Sequence, residues 1–304
     1  MTRQPKISVI IPAYNAAEFV SEAIQSVLDQ TYPNVECVVV NDGSTDATES
    51  ILRQFGDSIA LISMENQGVS AARNRGVAAA SGEWIGFLDA DDVWHHDNLS
   101  SQLKHVGRLC NDVDVHSTNL AIERTHLNAD DYFDLIRLPP ELRDRSLSCP
   151  TTALLDYHFA WLQSSLVRKS LLERFENPFD PGLSLYEDFD LFLRLSLEAR
   201  WATCSEVLVQ IKRRGDGTNN LSAQRLNDEL KSSQTMLRIL MRYGDDVSQS
   251  NEAKHAFARA LQKQYLIVGN LCRRHSNKAV ARKMYWRGFL AKPSIKAIAK
   301  LALP

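Results

Sequence analysis

The feature that most restricts how this chain can fold is an alternation of short apolar runs with segments of helical periodicity. Apolar runs occupy residues 7–11, 35–40, 59–64 and 84–88, and a polar turn and a helix-period segment follow each of the first three. Such alternation predicts right-handed crossovers and a mainly parallel sheet that helices cover on both faces. We therefore expect an α/β fold.

Unusual polar residues follow these predicted strands. They are Pro12 to Asn15, Asp42, Asn66 to Gly68, and Asp89 to Asp92. Because ligands of parallel α/β sheets bind outside the carboxyl ends of the strands, we expect these four loops to line one binding edge. We also expect Asn15 to cap the helix that follows the first run.

The loop after the fourth run is the most acidic of these four, because it contains Asp89, Asp91 and Asp92. Crowded carboxylates repel one another and are costly to desolvate, so they usually face a positive partner. Mg²⁺ or Mn²⁺ suits this role, since one or two carboxylates hold such a cation while substrate phosphates complete its shell. The alternative is a solvated acidic turn, which the apolar run before the loop and Val93-Trp94 after it disfavour.

The rest of the chain has a different pattern. Residues 126–160 lack a regular period, a helix is predicted at 187–197 and a last strand at 201–211, and beyond these the signals are helical. We therefore predict two domains, residues 1–220 with the sheet and residues 221–304 as a basic helical region.

Composition places the chain among globular proteins. Its 304 residues are 44% hydrophobic and 24% charged, and no run approaches the roughly 18 apolar residues of a membrane span. Five scattered cysteines lack the paired spacing of a disulfide framework or a zinc site, which favours a reducing compartment. We expect a cytoplasmic protein without a secretory signal.

The C-terminal segment 251–304 carries a charge of its own. It holds 12 of the 35 Lys and Arg residues but only Glu252 among the 37 acidic residues. Such a surface would attract anionic lipid and bring the protein to the cytoplasmic face of a membrane. A charged packing helix and a homo-oligomer contact explain the charge equally well. The sequence contains no recognisable nucleic-acid-binding module.

Five stretches together carry a resemblance to a known family. They are SVIIPAYN (8–15), VVVNDGSTD (38–46), NQGVSAARNRG (66–76), GEWIGFLDADD (82–92) and YEDFDLFLRL (186–195). In this order and spacing the chain resembles the inverting glycosyltransferases of family 2. The resemblance implies a GT-A fold, which is a Rossmann-like, mainly parallel sheet flanked by helices, here with a C-terminal helical extension.

The resemblance also implies roles for individual residues. Asp188 would be the general base, Asp91 the principal ligand of Mn²⁺ or Mg²⁺, and Asp89 a contact of the ribose or the metal. Pro12, Ala13 and Tyr14 would line the base and ribose, and further contacts to the nucleotide sugar would come from Asp42, Asn66, Gly68 and Arg73. The alternative for Arg73 is an ion pair with a neighbouring acid. Asp42 would accept a hydrogen bond from the base, which favours a UDP-sugar. The acceptor would be a hydroxyl of a glycan or a lipid-linked glycan.

One position departs from the family pattern. Many relatives carry a His shortly after the last strand, where this chain has Arg213 and Arg214. Guanidinium groups match phosphate geometry, so either arginine would bind the diphosphate directly, and a solvated basic loop is the equal alternative. The acceptor side would use residues 126–165, with four candidates that also suit core packing: Tyr132, Phe133, Trp161 and Gln163.

Two other functions fit parts of the sequence. A sugar-phosphate nucleotidyltransferase shares the α/β core but calls for a Gly-rich, basic phosphate loop after the first strand, where this chain has Pro12-Ala13-Tyr14-Asn15. A catalytically silent protein that uses the fold as a binding or scaffold module is the alternative outside enzymology. The aspartates at 42, 89, 91 and 188 argue against it.

Overall fold

The computed structural model describes residues 4–109, 112–123, 130–212, 228–244, 250–275 and 277–301. The chain divides into two compact units. The sheet unit comprises residues 1–150 and 157–214, and the helical unit comprises residues 151–156 and 215–304. The predicted boundary between residues 220 and 221 lies outside the described residues and stays a prediction.

The described part of the sheet unit contains nine strands and the helices between them. The strands are β1 (Ile7–Ala13), β2 (Val35–Asp42), β3 (Ala60–Met64), β4 (Trp84–Phe87), β5 (Val93–Trp94), β6 (Val115–Glu123), β7 (Arg145–Ser146), β8 (Ser165–Arg168) and β9 (Trp201–Lys212). The helices are α1 (Val20–Leu28), α2 (Thr48–Arg53), α3 (Val69–Ala79), α4 (Asn98–Arg108), α5 (Tyr132–Leu135), α6 (Pro150–Tyr157), most of which belongs to the helical unit, α7 (Lys169–Leu172) and α8 (Glu187–Ser196). Short 3-10 turns lie at Gly56–Ser58, Pro140–Leu142 and Leu162–Ser164.

The strands form one sheet in the order β3-β2-β1-β4-β8-β6-β9-β5, with β7 paired to β9. The first four strands are all parallel, so their carboxyl ends lie at one edge. Beyond them, β8 runs antiparallel between β4 and β6, while β6 and β9 are parallel to each other. The predicted α/β class with a mainly parallel sheet is confirmed, whereas β5, β6, β7 and β8 had no clear sequence signal.

The central strands are buried on both faces. Ile7, Val9, Ile10 and Ile11 of β1 have no exposed surface, as expected when helices cover both sides of a parallel sheet. Helix α3 lies especially close to β1, because a Cβ atom at Gly76 would overlap the side chain of Ile10. This close packing positions α3 against β1, whose carboxyl end contributes to the predicted binding edge.

The predicted cap of the first helix is wrong. Helix α1 begins at Val20 rather than directly after Asn15, which adopts a left-handed conformation with φ of 48°. The Asn15 side-chain oxygen accepts a hydrogen bond from the Thr45 amide at 2.8 Å. Asn tolerates this conformation, so the residue joins the loops after β1 and β2 instead of capping a helix.

The helical unit confirms the predicted C-terminal helices. Its described helices include α9 (Glu229–Arg242), α10 (Asn251–Arg274), α11 (Lys278–Ala291) and α12 (Ile295–Leu301). Its core consists of Leu237, Tyr265, Leu266, Val268, Cys272, Ala281, Tyr285 and Ala297. Among the helices that the structure describes, none combines the length and apolar character needed to cross a bilayer.

Candidate active site

The loops after β2 and β3 are joined by the carboxylate of Asp42. This residue ends β2 and is buried, and its two oxygens accept hydrogen bonds from the amides of Gln67 and Gly68 at 2.8 and 2.9 Å. A carboxylate oxygen can accept more than one bond. Asp42 therefore holds the second loop in place and still has acceptor capacity for the predicted nucleotide base.

Gly43 permits the close approach of the same two loops. Its φ is +68°, and a Cβ atom there would lie 2.6 Å from the Asn66 amide nitrogen, so a side chain would be excluded on both grounds. Asn66 and Gly68 are exposed. On the neighbouring loop Pro12 is half-buried and Ala13 buried.

Tyr14 projects from the loop after β1 as the most exposed of the predicted base contacts, with 52% of its surface accessible. The next residue, Asn15, donates its backbone amide to the Ser44 hydroxyl at 3.0 Å. Ser44 in turn donates its amide to the Asn41 side chain at 3.1 Å. The structure thus brings the predicted contacts after the first three strands to one edge.

Arg73 of α3 joins two acidic segments that are far apart in sequence. Its guanidinium donates to Asp89 Oδ1 at 2.8 Å and to Glu187 Oε1 at 2.9 Å, and only 4% of the residue is exposed. Burial by itself would lower the pKa of Arg73, but Asp89 and Glu187 outweigh it and raise the pKa. The arginine therefore stays charged and connects the end of β4 to the start of α8.

This buried network is incompletely satisfied. Arg73 Nε and Glu187 Oε2 are buried and have no hydrogen-bond partner among the described residues. Burial raises the pKa of Glu187, the charge of Asp188 raises it further, and Arg73 opposes both. Breaking such a pair leaves an uncompensated buried charge, so the site depends strongly on Arg73.

Helix α3 also holds the segment that leads to Asp188. Asn74 donates to the Phe179 carbonyl at 2.7 Å and accepts from the Phe179 amide at 2.9 Å, and Ser70 Oγ lies 3.5 Å from the Leu183 carbonyl. With Arg73 these residues share one helix face. The sequence analysis missed this anchor, although the spacing of three polar residues on a predicted helix was a readable signal.

Asp188 lies in the first turn of α8 and is half-buried. Its Oδ1 accepts a hydrogen bond from the Phe189 amide at 2.7 Å. Tyr186 immediately before the helix has φ of 65°, a left-handed conformation that is strained for a bulky residue. Strain of this kind persists only where the surroundings impose it, and here it sets the direction in which α8 starts.

The three aspartates after β4 have different surroundings. Asp92 is buried, and its Oδ1 accepts from the Lys212 amide at 2.9 Å, which fastens the loop to the end of β9. Asp89 is held by Arg73 and, through its other oxygen, by the side chain of Gln163. Asp91 is half-buried. Asp92 is therefore a structural residue, while Asp89 and Asp91 are the partly accessible acids.

The residues predicted for the acceptor side differ in how deeply they are buried. Phe133 is fully buried and Tyr132 is 9% exposed, with its hydroxyl donating to the His158 carbonyl at 3.0 Å. Trp161 is half-buried and contacts Tyr132 edge to face with ring centroids 5.4 Å apart. The sequence analysis did not single out His158. This exposed residue stacks on Phe189 with ring centroids 5.2 Å apart, and Phe189 is the residue after Asp188. Arg213 and Arg214 lie outside the described residues.

The acids after β4 suit a divalent cation in donor type. Asp89 and Asp91 offer carboxylate oxygens at partly exposed positions, and hard cations such as Mg²⁺ and Mn²⁺ take oxygen ligands. The residues present therefore fit a cation of this class.

Comparisons with known proteins agree with this geometry. Residues 8–174 match the family model described as Glycosyl transferase family 2. An uncharacterized glycosyltransferase of Rickettsia typhi is 31% identical over 229 residues, which are 75% of this chain and 70% of the relative.

Two solved structures share the fold. Residues 1–349 of Staphylococcus aureus TarS in complex with UDP are 18% identical with a TM-score of 0.66, and the match covers 97% of this chain and 83% of that one. The mannosyltransferase PcManGT of Pyrobaculum calidifontis in complex with GDP-Man and Mn²⁺ is 21% identical with a TM-score of 0.61, over 99% and 79% of the two chains. The predicted GT-A fold is confirmed.

Proposed function

Because the chain belongs to glycosyl transferase family 2 and is a glycosyltransferase, we propose that it moves a sugar from a nucleoside diphosphate sugar to a hydroxyl of a glycan or lipid-linked glycan, with inversion. The observation that carries this proposal is the Arg73 bridge. One guanidinium binds both Asp89, in the acidic loop after β4, and Glu187, the neighbour of Asp188. The loop proposed to bind the donor and the helix that carries the proposed base are thus held together.

The proposed reaction is a single displacement at the anomeric carbon. Asp188 accepts the proton of the acceptor hydroxyl as its oxygen attacks, and inversion requires one such base rather than a pair of flanking carboxylates. Arg73 and Gln163 orient Asp89. When bound by Asp91 and Asp89, Mg²⁺ or Mn²⁺ supplies positive charge that stabilises the departing diphosphate.

A UDP-sugar is the proposed donor. The acceptor capacity left on Asp42 suits the imide N–H of uracil, and exposed Tyr14 offers a ring for stacking. Among the structural neighbours, TarS was solved with UDP and with UDP-GlcNAc, while PcManGT was solved with GDP-Man and Mn²⁺. These complexes support the nucleotide-sugar class and a divalent cation, so GDP is the competitor that the experiment must include.

The test is calorimetric titration of the protein with UDP and GDP, with and without Mn²⁺, followed by turnover with UDP-sugars. Asp91→Asn should weaken UDP binding at least about tenfold in the presence of Mn²⁺, because a metal ligand is lost. Asp188→Asn should bind UDP normally but lose about 10²- to 10⁴-fold in kcat, the usual contribution of a general base.

Asp57→Asn is the matched control, since Asp57 is exposed in the 3-10 turn Gly56–Ser58. It should change neither binding nor turnover. Failure of both UDP and GDP to bind under any condition would refute the donor assignment. Turnover by Asp188→Asn at the level of the unmodified protein would exclude Asp188 as the base, and the absence of any turnover despite UDP binding would favour a silent binding protein.

We further propose that the helical unit docks on anionic lipid and brings the enzyme to a lipid-linked acceptor at the cytoplasmic face of a membrane. Large apolar side chains are exposed on α11 and α12, namely Trp286 at 52%, Leu290 at 61%, Ile295 at 87% and Ile298 at 53%. The same two helices carry no acidic residue but several lysines and arginines. Exposed apolar side chains beside basic charge are typical of interfacial binding.

Sedimentation with vesicles tests this docking surface. The protein should bind vesicles that contain phosphatidylglycerol and not those of phosphatidylcholine alone, and salt should weaken binding. Leu290→Ser with Ile295→Ser should abolish binding. Leu135→Ser, which removes a 46% exposed leucine of the sheet unit, should leave it intact. A concentration-dependent dimer that the double variant disrupts, without vesicle binding, would instead assign the surface to a second copy of the chain.

A further inference from the structure

A second cluster of reactive side chains lies away from the proposed active site. It contains His105 of α4, Asp144 before β7 and Cys204 of β9, whose potential ligand atoms all lie within 4.8 Å of one another. Cys204 is near the amino end of β9, whereas the residues proposed for the donor lie at carboxyl ends of strands. The glycosyltransferase reaction described above does not use any of the three.

Hydrogen bonds behind His105 fix which of its ring nitrogens carries the proton. Gln102 donates its side-chain amide to Asn98 at 2.8 Å, so its oxygen is the atom that lies 2.9 Å from His116 Nδ1. That oxygen only accepts, so His116 Nδ1 carries the proton. His116 is fully buried. In a neutral imidazole with the proton on Nδ1, Nε2 is an acceptor.

The acceptor atom of His116, Nε2, determines which ring nitrogen of His105 carries the proton. His105 Nδ1 lies 2.8 Å from His116 Nε2 and must be the donor. In a neutral His105 the lone pair is then on Nε2, the other ring nitrogen. An imidazole whose N–H is fixed by a hydrogen bond behind it is the usual arrangement of a metal-binding histidine.

The other two groups are also held in place. Both oxygens of Asp144 accept hydrogen bonds from Ser205, one from the amide and one from the hydroxyl, each at 2.7 Å. Asp144 adopts φ of 55°, a left-handed conformation. Cys204 is 1% exposed and is fixed by its position in β9. The exposed Asp144 and half-buried His105 leave the cluster accessible from solvent.

We propose that His105, Asp144 and Cys204 bind a Zn²⁺ ion, with water as the fourth ligand. Imidazole nitrogen, thiolate sulfur and carboxylate oxygen are the ligand types of tetrahedral zinc sites. Binding breaks the S–H bond of Cys204, forms an S–Zn bond and releases one proton to solvent. Burial raises the pKa of this thiol to about 11, so the metal must displace the proton. The ion would tie α4 and the turn before β7 to β9.

The competing explanation is a hydrogen-bonded cluster without metal. In it the thiol of Cys204 stays protonated and donates a hydrogen bond to Asp144. The two explanations differ in one measurable property, because only the metal site contains a thiolate. A sulfur-specific signal therefore separates them.

The experiment titrates the chelator-treated full chain with Co²⁺ and then displaces it with Zn²⁺. We expect a thiolate-to-cobalt charge-transfer absorption that saturates at one equivalent, disappears on addition of Zn²⁺ and is absent in Cys204→Ser. His105→Gln and Asp144→Asn should retain the native circular dichroism but weaken binding at least tenfold. Calorimetry in two buffers of different ionisation enthalpy should show one proton released per Zn²⁺.

Three controls separate this site from others. Cys149→Ser removes a half-buried cysteine outside the cluster and should leave the band unchanged. Asp91→Asn removes the proposed active-site ligand and should also leave it unchanged. His95, His96 and Asp97 form another candidate metal group but contain no sulfur, so they cannot produce the band. Absence of the band in the unmodified protein, or its survival in Cys204→Ser, would overturn the proposal.

Discussion

Each unit of this protein has an apolar core, but among the described residues only the sheet unit also buries charged side chains. In the sheet unit, buried charged and polar groups join loops, as Arg73 does between Asp89 and Glu187. In the helical unit, apolar side chains fill the core and a glycine allows two helices to approach, with Gly269 against Tyr285. Groups that bind a polar ligand must themselves be polar, and the residues of the sheet unit that we propose for donor binding are held in such networks.

This difference predicts which substitutions should lower the stability of each unit most. A buried ionic network fails when one partner is lost, because the remaining charge is left without compensation. An apolar helical core fails through volume, whether by a cavity or by a clash. The four predictions below test this contrast.

The largest effect is expected for Arg73→Met. Loss of the guanidinium leaves Asp89 and buried Glu187 without their cationic partner, so the free energy of unfolding should fall by about 3–5 kcal/mol. Arg75→Met, on the exposed face of the same helix α3, should change it by less than about 0.5 kcal/mol. Urea unfolding of both variants measures the difference. Equal stability of the two would show that the Arg73 bridge is energetically neutral, and adding Glu187→Gln to Arg73→Met should recover part of the loss.

The second prediction concerns Asp42→Asn. The amide keeps one acceptor but turns an N–H group toward one of the two amides that Asp42 now binds, so stability should fall by about 1–3 kcal/mol. Because the loop after β3 loses its anchor, UDP affinity should also fall about tenfold. Thermal unfolding and calorimetry measure these changes. Unchanged loop protection in hydrogen exchange would contradict the anchoring role.

The third prediction tests the helical unit through Gly269→Ala. A Cβ atom would lie 2.5 Å from Tyr285 Cε1, so the helices must shift and stability should fall by about 1–3 kcal/mol. The matched variant is Gly107→Ala in α4, where the new methyl group would meet no atom within 4 Å outside its own stretch of helix. There stability should rise by about 0.5–1 kcal/mol, as expected for alanine in an open helix position. Opposite signs in urea unfolding confirm packing as the cause.

The smallest expected effect is pH-dependent and concerns Glu36. Partial burial raises its pKa, but hydrogen bonds from Ser8, Ser81 and Lys6 outweigh burial and lower the pKa from 4.5 to about 2. A lowered folded-state pKa means that the stabilisation is complete above pH 4.5 and is lost as the pH falls toward about 2. Glu36→Gln should therefore cost about 1–2 kcal/mol at pH 7.

The same variant has a signature in acid. The stability difference between Glu36→Gln and the unmodified protein should shrink steadily in urea unfolding experiments at pH 5, 4 and 3. A difference that stays constant over this range would mean that the carboxylate charge contributes nothing. Asp57→Asn again serves as the control, because Asp57 is exposed.

The first half of the fold was readable because its information is local. Periodicity predicted the four parallel strands and the helices α1 to α3, and the loops that follow the strands meet at the predicted edge. Strands β6 and β8 were missed. Both are buried and hydrogen-bonded to strands distant in sequence, and polar residues such as His116, Ser117 and Asn119 hide the apolar pattern of β6.

The site was partly readable for the same reason. Asp42, Asp89, Asp91 and Asp188 follow from motifs, and the structure describes each of them, whereas their catalytic and binding roles remain proposals. The partners of these residues did not follow from the motifs. Asn15 was wrongly predicted as a helix cap because its partner, Thr45, lies on another loop.

By itself the sequence determined the α/β class, the family and the helical character of the C-terminal region, because these depend on periodicity and on short motifs. Only the tertiary structure decided that Arg73 bridges Asp89 to Glu187, and that His105, Asp144 and Cys204 come together. In the sequence, Arg73 is 16 positions from Asp89 and 114 positions from Glu187. Such pairings depend on how strands and helices pack in space, which no local pattern of residues specifies.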